Sequence, residues 1–164
     1  MKTLLLIRHA KSSWDNSSLS DFERPLNERG KTDAPIMAKR LKDKNIKIDA
    51  FVCSPAKRAR KTAEIFMKEY LQNEMEPAFI SKLYEASVND FYRAVEELND
   101  KNSSVAVFAH NPGITEFINS LECSPVYNMP TCAVYGLQID ATSWKEIREA
   151  PKKFLFFDYP KNQG

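Results

Sequence analysis

The sequence predicts a single α/β domain, a three-layer α/β/α sandwich in which a mostly parallel sheet lies between helices. Short apolar runs alternate along the 164 residues with stretches in which apolar residues recur every three or four positions. This alternation of strands and helices is typical of parallel sheets that helices cover on both faces. The length suffices for one domain with a sizeable core and is marginal for two.

Six apolar runs are predicted to form the strands of the sheet. They are Thr3–Ile7, Ala50–Cys53, Ala78–Leu83, Ser104–Ala109, Cys132–Ile139 and Phe154–Phe157. No internal repeat or linker interrupts their order, so we expect one domain over residues 1–159. The polar tail, residues 160–164, is expected to fray.

Four segments between these strands have the period of an amphipathic helix. Their apolar faces consist of Met37, Ala38 and Leu41; of Ala59, Ala63, Phe66, Met67 and Tyr70; of Val88, Phe91, Tyr92, Val95 and Leu98; and of Ile114, Phe117, Ile118 and Leu121. The first segment contains Pro35, so we expect that helix either to start late or to kink at the proline.

Composition and charge exclude several classes of protein. Twenty-four basic residues nearly balance 22 acidic ones, which does not suggest a protein that coats nucleic acid. The four glycines form no phosphate-binding loop of the P-loop or dinucleotide type. Three cysteines without a CxxC pattern and two histidines leave few possible ligands for zinc, so we expect no metal site. We expect the cysteines to be free thiols in a reducing cytoplasm.

No stretch of the sequence indicates export or a membrane span. The apolar run Leu4–Ile7 is followed by a charge and is too short for a signal peptide. The longest later run, Val105–Ala109, is far below the roughly 20 residues that a membrane helix needs. We therefore expect a soluble cytoplasmic protein that contacts no membrane.

Three predicted strands end in polar side chains. Arg8 and His9 follow the first strand, Ser54 follows the second and His110 follows the fourth. Open α/β sheets bind ligands at the carboxyl ends of their strands. We expect a ligand site at this edge of the sheet.

Two of these junctions are also predicted to open helices. Ser54 and Asn111 are the predicted N-caps, and Pro55 and Pro112 take the first helical positions. The first N–H groups of such helices attract anions.

Arg8, His9, Arg58 and His110 form the predicted core of the site. Each of the two guanidinium groups can bind phosphate oxygens through a pair of parallel hydrogen bonds. A neutral imidazole is a competent nucleophile. The only two histidines of the chain both fall at strand ends. Each residue alone also has a structural interpretation, such as a solvated helix face for Arg58 in "KRARK", but the combination favours a phosphate site. Ser12 adds a hydroxyl donor or makes a turn. Trp14 is expected to serve packing rather than chemistry.

Four segments carry a resemblance to a known family. "IRHAKSSW" resembles the RHG signature of the histidine phosphatase superfamily, the phosphoglycerate mutase-like enzymes. "SPAKRARKT" is similar to its second motif, "VFAHNPG" to the segment of its second histidine, and "RPLNERGKTDA" to its link into the first helix. The resemblance spans residues 3–121, and the short chain is most similar to SixA-type phosphohistidine phosphatases.

The resemblance implies a phosphoglycerate mutase-like fold and a phosphatase that needs no cofactor or metal. His9 is then the nucleophile that becomes phosphorylated, and Arg8, Arg58 and a protonated His110 complete the phosphate pocket. Ser12 and Asn111 are further candidate phosphate ligands. Two departures from the family pattern are Ala10 in place of the signature glycine and Asp15 in place of a phosphate-binding asparagine.

The general acid of the family usually follows the third strand, where Glu85 is the best candidate in "KLYEASVND". Glu85 is equally compatible with a solvated loop. It precedes a helix for which Ser87 is the predicted cap and Asp90 its capping-box partner.

Two enzymatic functions follow from these residues. The first is the dephosphorylation of a phosphohistidine-bearing protein, whose imidazole leaves more readily than an alkoxide and tolerates a weak acid. The short segment between Glu85 and the fourth strand leaves little for a lid, which suits a protein substrate. The second is a phosphomonoesterase or mutase for small esters, which needs Glu85 as a working acid.

Two functions without turnover are less well supported. A phospho-binding module, with Ala10 as a sign of decay, conflicts with the presence of both histidines. Nucleic-acid binding through "KRARK" lacks an interleaved aromatic platform.

Overall fold

A central sheet organises the computed structural model of the protein, which describes residues 1–70, 72 and 76–162. Within these residues the strands are β1 (Lys2–Arg8), β2 (Ala50–Cys53), β3 (Ala78–Phe79), β4 (Ser104–Ala109), β5 (Val134–Ile139) and β6 (Lys152–Asp158). They lie in the order β3-β2-β4-β1-β5-β6. The first four strands pair in parallel, whereas β5 and β6 are antiparallel to their neighbours. The predicted mostly parallel sheet is confirmed.

Helices cover both faces of this sheet. They are α1 (Glu28–Asp43), α2 (Lys57–Glu69), α3 (Val88–Glu96) and α4 (Gly113–Ser120). Side chains alternate across a strand, so Leu5 and Ile7 of β1 pack with residues of α1 and α2. Leu4 and Leu6 pack with residues of α3 and α4 on the other face. The α/β/α sandwich is therefore confirmed, with one apolar core on each side of the sheet.

The third strand is shorter than predicted. Only Ala78 and Phe79 pair with the last two residues of β2, and β2 ends there. The rest of the predicted strand turns away, and Ser81–Leu83 form a 3₁₀ helix that buries Leu83 in the core. Of the predicted run, Leu83 is buried, whereas Ala78 and Phe79 pair with β2 but are exposed.

The ends of the last two strands also differ from the predicted ones. β5 begins at Val134 rather than at Cys132, because Cys132 has a φ of 63°, a left-handed conformation that an extended strand excludes. β6 extends beyond Phe154–Phe157 at both ends because it pairs along the whole length of β5.

Helix α1 begins well before Pro35, so the late start that we considered is wrong. The side chain of Asn27 caps it by accepting the N–H of Gly30 at 2.8 Å. A Cβ on Gly30 would collide with the backbone carbonyl of Lys11. The glycine thus lets α1 lie directly against the segment that follows β1.

The C-terminal tail makes hydrogen bonds as far as Asn162, and its expected fraying stays a prediction. Arg40 donates to the carbonyl of Pro160 at 3.3 Å, and the N–H of Asn162 donates to Tyr159 at 2.9 Å. Residues 163–164 of the predicted tail lie outside the described residues, and the domain limit at residue 159 stays a prediction. In the described chain, no helix combines the length and the apolar character that crossing a membrane requires.

Candidate active site

The parallel arrangement of β1, β2 and β4 brings their polar carboxyl ends to one edge of the sheet. A cavity of about 500 Å³ lies at this edge. All the site residues predicted from the sequence line it: Arg8, His9, Ser12, Arg58, Glu85, His110 and Asn111. Residues that are more than a hundred positions apart in the chain, such as Arg8 and Asn111, therefore share one site.

His9 is buried, neutral and fixed in one orientation. Its Nδ1 lies 2.7 Å from the carbonyl oxygen of Ala10. Because a carbonyl can only accept, Nδ1 holds the proton, and Nε2 of the neutral ring keeps its lone pair. Burial lowers the pKa of His9 well below its usual value of 6.5, and the neighbouring His110 and two arginines lower it further. Nε2 of His9 is therefore available as a nucleophile at pH 7.

The backbone at Ala10 is held by a buried threonine. The N–H of Ala10 donates to Oγ1 of Thr62 at 2.9 Å, and the Thr62 hydroxyl donates to the carbonyl of Arg58 at 2.8 Å. Ala10 is not among the residues with positive φ, so an alanine fits where the family signature has glycine. The hydrogen bond from the N–H of Ala10 thus ties the residue whose carbonyl orients His9 to the helix that carries Arg58.

His110 lies beside His9, with ring centroids 5.0 Å apart. Its Nε2 is 2.8 Å from Oγ of Ser54, which already accepts the N–H of Ala56 at 3.2 Å. Within the described residues the Ser54 hydroxyl has no other acceptor, so we assign it as the donor to Nε2 of His110, which places the proton of a neutral ring on Nδ1.

The surroundings of His110 disfavour its charged form. Burial, and next the charge of Arg58, lower the pKa of His110 to about 3. The neutral ring therefore predominates at pH 7 in this structure, and protonation of His110 beside a bound phosphoryl group stays a prediction. Its Nδ1 is buried without a hydrogen-bond partner in the protein, so the neutral ring offers one unused N–H donor.

Two guanidiniums complete the donor set. Arg8 donates from Nη1 to the carbonyl of Met129 at 2.9 Å. Arg58 donates from Nη1 to the carbonyl of Asp21 at 2.6 Å and from Nη2 to its carboxylate at 3.0 Å. Nε of each arginine is buried without a partner. Unpaired buried donors are costly, and here they belong to residues that line one cavity, which is the pattern expected of an anion site.

A carboxylate that no sequence pattern predicted, that of Asp21, connects several of these groups. Besides Arg58, Asp21 accepts the hydroxyl of Tyr84 at 2.7 Å and lies 3.3 Å from Nε of Arg24. No pattern in the sequence marks Asp21 or Tyr84. Arg24 is the first residue of "RPLNERG", a segment that resembles the family, and this resemblance could have indicated that Arg24 lies near the site.

Trp14 was expected to pack, and this is wrong. The indole is 72% exposed, and the guanidinium of Arg24 lies 3.4 Å from its ring centroid. Trp14 also lines the cavity. The ring therefore lies outside the core, at the cavity and against Arg24.

The helix caps predicted at the site lie too early, by two residues at Ser54 and by one residue at Asn111. Helix α2 has Ala56 as N-cap and α4 has Pro112. Ser54 turns its hydroxyl to His110 instead. Asn111 donates to Asn128 at 2.9 Å and to the carbonyl of Met129 at 3.0 Å, while its Oδ1 accepts the hydroxyl of Thr115. The amide of Asn111 is therefore occupied in holding the segment that also contacts Arg8.

The two remaining candidates differ in burial. Ser12 is buried at the cavity wall, where its hydroxyl remains a candidate donor. Glu85 is exposed at the cavity and has a φ of 54°, a left-handed conformation that is uncommon for glutamate. The helix that follows it has the predicted capping box between Ser87 and Asp90.

The described residues offer no group of three or more His, Cys, Asp or Glu side chains that could hold a metal ion. Independence of a metal stays a prediction. All three cysteines are free thiols, as expected, and burial raises the pKa of Cys53 to about 12.

The sequence also matches a known protein family. A family profile described as "Histidine phosphatase superfamily (branch 1)" matches residues 4–92. The chain belongs to the histidine phosphatase superfamily, which confirms the resemblance found in the sequence.

Two relatives show how far sequence similarity extends. An uncharacterised chloroplast protein of Arabidopsis thaliana is 30% identical over 154 residues, covering 88% of this chain and 70% of the relative. A 2,3-bisphosphoglycerate-dependent phosphoglycerate mutase of Bartonella henselae is 34% identical over 91 residues, covering 54% of this chain. The match spans 44% of the mutase, less than half of its length.

Solved structures extend the fold match to nearly the whole chain. A putative phosphohistidine phosphatase SixA from Agrobacterium tumefaciens superposes with a TM-score of 0.79 at 23% identity, over 97% of this chain and 98% of that one. The histidine phosphatase SixA complexed with tungstate gives a TM-score of 0.79 at 22% identity, over 96% and 97% of the two chains. The phosphoglycerate mutase-like fold is thereby confirmed.

The burial of the neutral histidines gives the stability of the protein a defined pH dependence. The folded pKa of His110, about 3, lies below the usual value of 6.5, so between these values the unfolded chain binds a proton that the folded chain does not. The free energy of unfolding is therefore undiminished above pH 6.5 and falls as the pH falls. We expect a loss of about 1.4 kcal/mol per pH unit from this residue between pH 6 and pH 5.

Urea unfolding at pH 7.5, 6 and 5 measures this dependence. The variant His110→Gln, which cannot take up the proton, should lose about 1.4 kcal/mol less per pH unit than the wild type. Equal slopes for the two proteins would show that His110 is not held neutral by its surroundings.

Proposed function

We propose that the protein is a phosphatase that acts through a phosphohistidine intermediate on His9 and takes protein phosphohistidine as its substrate. Membership of the histidine phosphatase superfamily supports phosphatase activity. The strongest support for His9 as the nucleophile comes from the geometry of the cavity. A neutral His9, oriented by its hydrogen bond to Ala10, shares a cavity with unused donors on Arg8, Arg58 and His110.

In the proposed first step, the phosphoryl group accepts hydrogen bonds from these donors, and Nε2 of His9 attacks the phosphorus in line. A bond from phosphorus to Nε2 forms while the bond to the substrate nitrogen breaks, and its electron pair returns to that nitrogen. A substrate imidazole that carries a proton on its other nitrogen then leaves as a neutral ring. Phosphoryl transfer depends mainly on positioning and charge stabilisation, which the two arginines supply.

In the proposed second step, water attacks phosphorylated His9. The phosphorus–nitrogen bond breaks, its electrons return to Nε2, and the oxygen and both protons of the water leave in the phosphate as H₂PO₄⁻. His9 regains its original state, with the proton on Nδ1. The hydrogen bond to Ala10 keeps the ring in place through both steps.

The choice of phosphohistidine as substrate rests on the chemistry of the leaving group. The first step exchanges one phosphorus–nitrogen bond to an imidazole for another, so it is close to balanced in energy and does not require a general acid. An alkoxide leaving group requires one. Glu85, the predicted acid, is exposed at the edge of the cavity rather than buried beside His9. This placement favours a substrate that does not depend on it.

The supporting residues have distinct proposed roles. Ser12 supplies an additional hydroxyl donor to the phosphoryl group from the cavity wall. Asn111 positions the segment around Met129, to which Arg8 is also bound, and so acts as a positioning residue rather than through its own amide.

A phosphomonoesterase or mutase acting on small esters is the second candidate. Two observations favour it: Glu85 lines the same cavity, and the chain is 34% identical to a phosphoglycerate mutase over 91 residues. The two candidates differ in what they require of Glu85.

The nucleophile is tested by His9→Ala. We expect kcat to fall by at least about 10³-fold on p-nitrophenyl phosphate and on a phosphohistidine peptide, because the covalent step is lost. Free imidazole added to the variant should restore part of the transfer and yield phosphoimidazole. Turnover near that of the wild type, in a variant with an unchanged unfolding midpoint, would contradict the mechanism.

The substrate class is tested by Glu85→Gln. We expect turnover of a phosphohistidine peptide within about twofold of the wild type, and of an alkyl phosphate ester about 10²-fold slower, because only the alkoxide needs an acid. The matched control is Glu28→Gln, a change at an exposed glutamate that does not line the cavity. An equal loss on both substrates would contradict the assignment to phosphohistidine.

A further inference from the structure

Trp14 presents an aromatic surface at the mouth of the catalytic cavity. The indole lines this cavity while 72% of the residue is exposed. Arg24 lies against the ring, with its guanidinium carbon 3.4 Å from the ring centroid. Since the phosphoryl-binding groups lie deeper in the same cavity, Trp14 is placed to contact the part of a substrate that carries the phosphoryl group.

The indole is held in place by a network that reaches the catalytic residues. The Arg24 side chain is only 9% exposed, and its Nε lies 3.3 Å from the carboxylate of Asp21. The same carboxylate binds Arg58 at 3.0 Å and the hydroxyl of Tyr84 at 2.7 Å. A side chain that is both exposed and fixed loses little conformational freedom when it binds a ligand.

A second aromatic ring lines the cavity next to the catalytic residues. The ring of Tyr84 lies edge-on to His110, with centroids 5.7 Å apart. On the outside it packs edge-on against Phe22 at 5.2 Å. Aromatic surface therefore lies both at the mouth of the cavity and beside His110.

We propose that Trp14, supported by Arg24, is a specificity-determining residue that stacks on a planar ring bearing the phosphoryl group. The identification of this ring as the imidazole of a phosphohistidine rests on the function proposed above. Stacking of two aromatic rings contributes about 0.5–1.5 kcal/mol beyond the burial of their surface. A non-aromatic substrate with the same scissile bond gains nothing from the indole.

Two substrates with the same type of scissile bond isolate this contribution. Phosphoimidazole and phosphoramidate both contain a phosphorus–nitrogen bond, and only the first carries a ring. We expect Trp14→Ala to lower kcat/KM for phosphoimidazole about tenfold and to leave kcat/KM for phosphoramidate within about twofold. Trp14→Phe should recover most of the loss. The control Tyr127→Ala removes a fully exposed aromatic ring that does not line the cavity, and it should change neither value.

A merely structural role for Trp14 gives a different result. If the indole only holds Arg24, both substrates lose activity by the same factor and the inhibition constant of inorganic phosphate rises with them. That outcome would overturn the proposal. So would a Trp14→Phe variant that restores kcat/KM for neither substrate.

A binding measurement separates this proposal from the proposed function. Phenylphosphonate and methylphosphonate are not hydrolysed, and calorimetry with the wild type should show tighter binding of the phenyl compound, by about tenfold, a preference lost in Trp14→Ala. Equal affinities would overturn the proposal, whatever the enzyme hydrolyses. A preserved preference without turnover of either phosphorus–nitrogen compound would instead refute the phosphohistidine substrate and leave Trp14 as the ring-binding residue.

Discussion

The hydrogen bond from Nδ1 of His9 to the carbonyl of Ala10 is the interaction on which the function of this site depends. It fixes the tautomer, so that the lone pair lies on Nε2, and it fixes the direction in which that nitrogen points. Burial keeps the ring uncharged, because the cationic form would be far from water and close to two arginines. The same residues that would stabilise a bound phosphoryl group thus keep His9, the proposed nucleophile, uncharged.

The fold supplies the rigidity that this arrangement requires. Positive groups concentrated at one edge of a sheet repel one another, and their unused donors lower the stability of the protein. Parallel strands packed on both faces hold the ends of β1, β2 and β4 in register despite this cost. Asp21 offsets part of the positive charge, because its carboxylate binds both Arg58 and Arg24. A bound phosphoryl group would balance the remaining positive charge and accept the unused hydrogen bonds.

Sequence reasoning located the centre of the site and missed its surroundings. Arg8 and His9 could be predicted because strand ends follow from apolar runs, and parallel strands end at a common edge. Asp21 could not be predicted, because it lies in a segment whose position depends on tertiary contacts with distant arginines. Trp14 was misjudged because hydrophobicity alone does not distinguish an indole in the core from one at a cavity. The helix start predicted at Asn111 failed because its side chain bonds to the neighbouring loop instead.

The charge and tautomer of His9 are the most direct test of this account. The chain contains only two histidines, so a ¹⁵N spectrum of its imidazole rings shows two ring systems and is simple to assign through His110→Gln. At pH 7 the account predicts that both rings are neutral and that His9 carries its proton on Nδ1. A His9 ring that titrates near pH 6.5, or one protonated on Nε2, would contradict the proposed nucleophile.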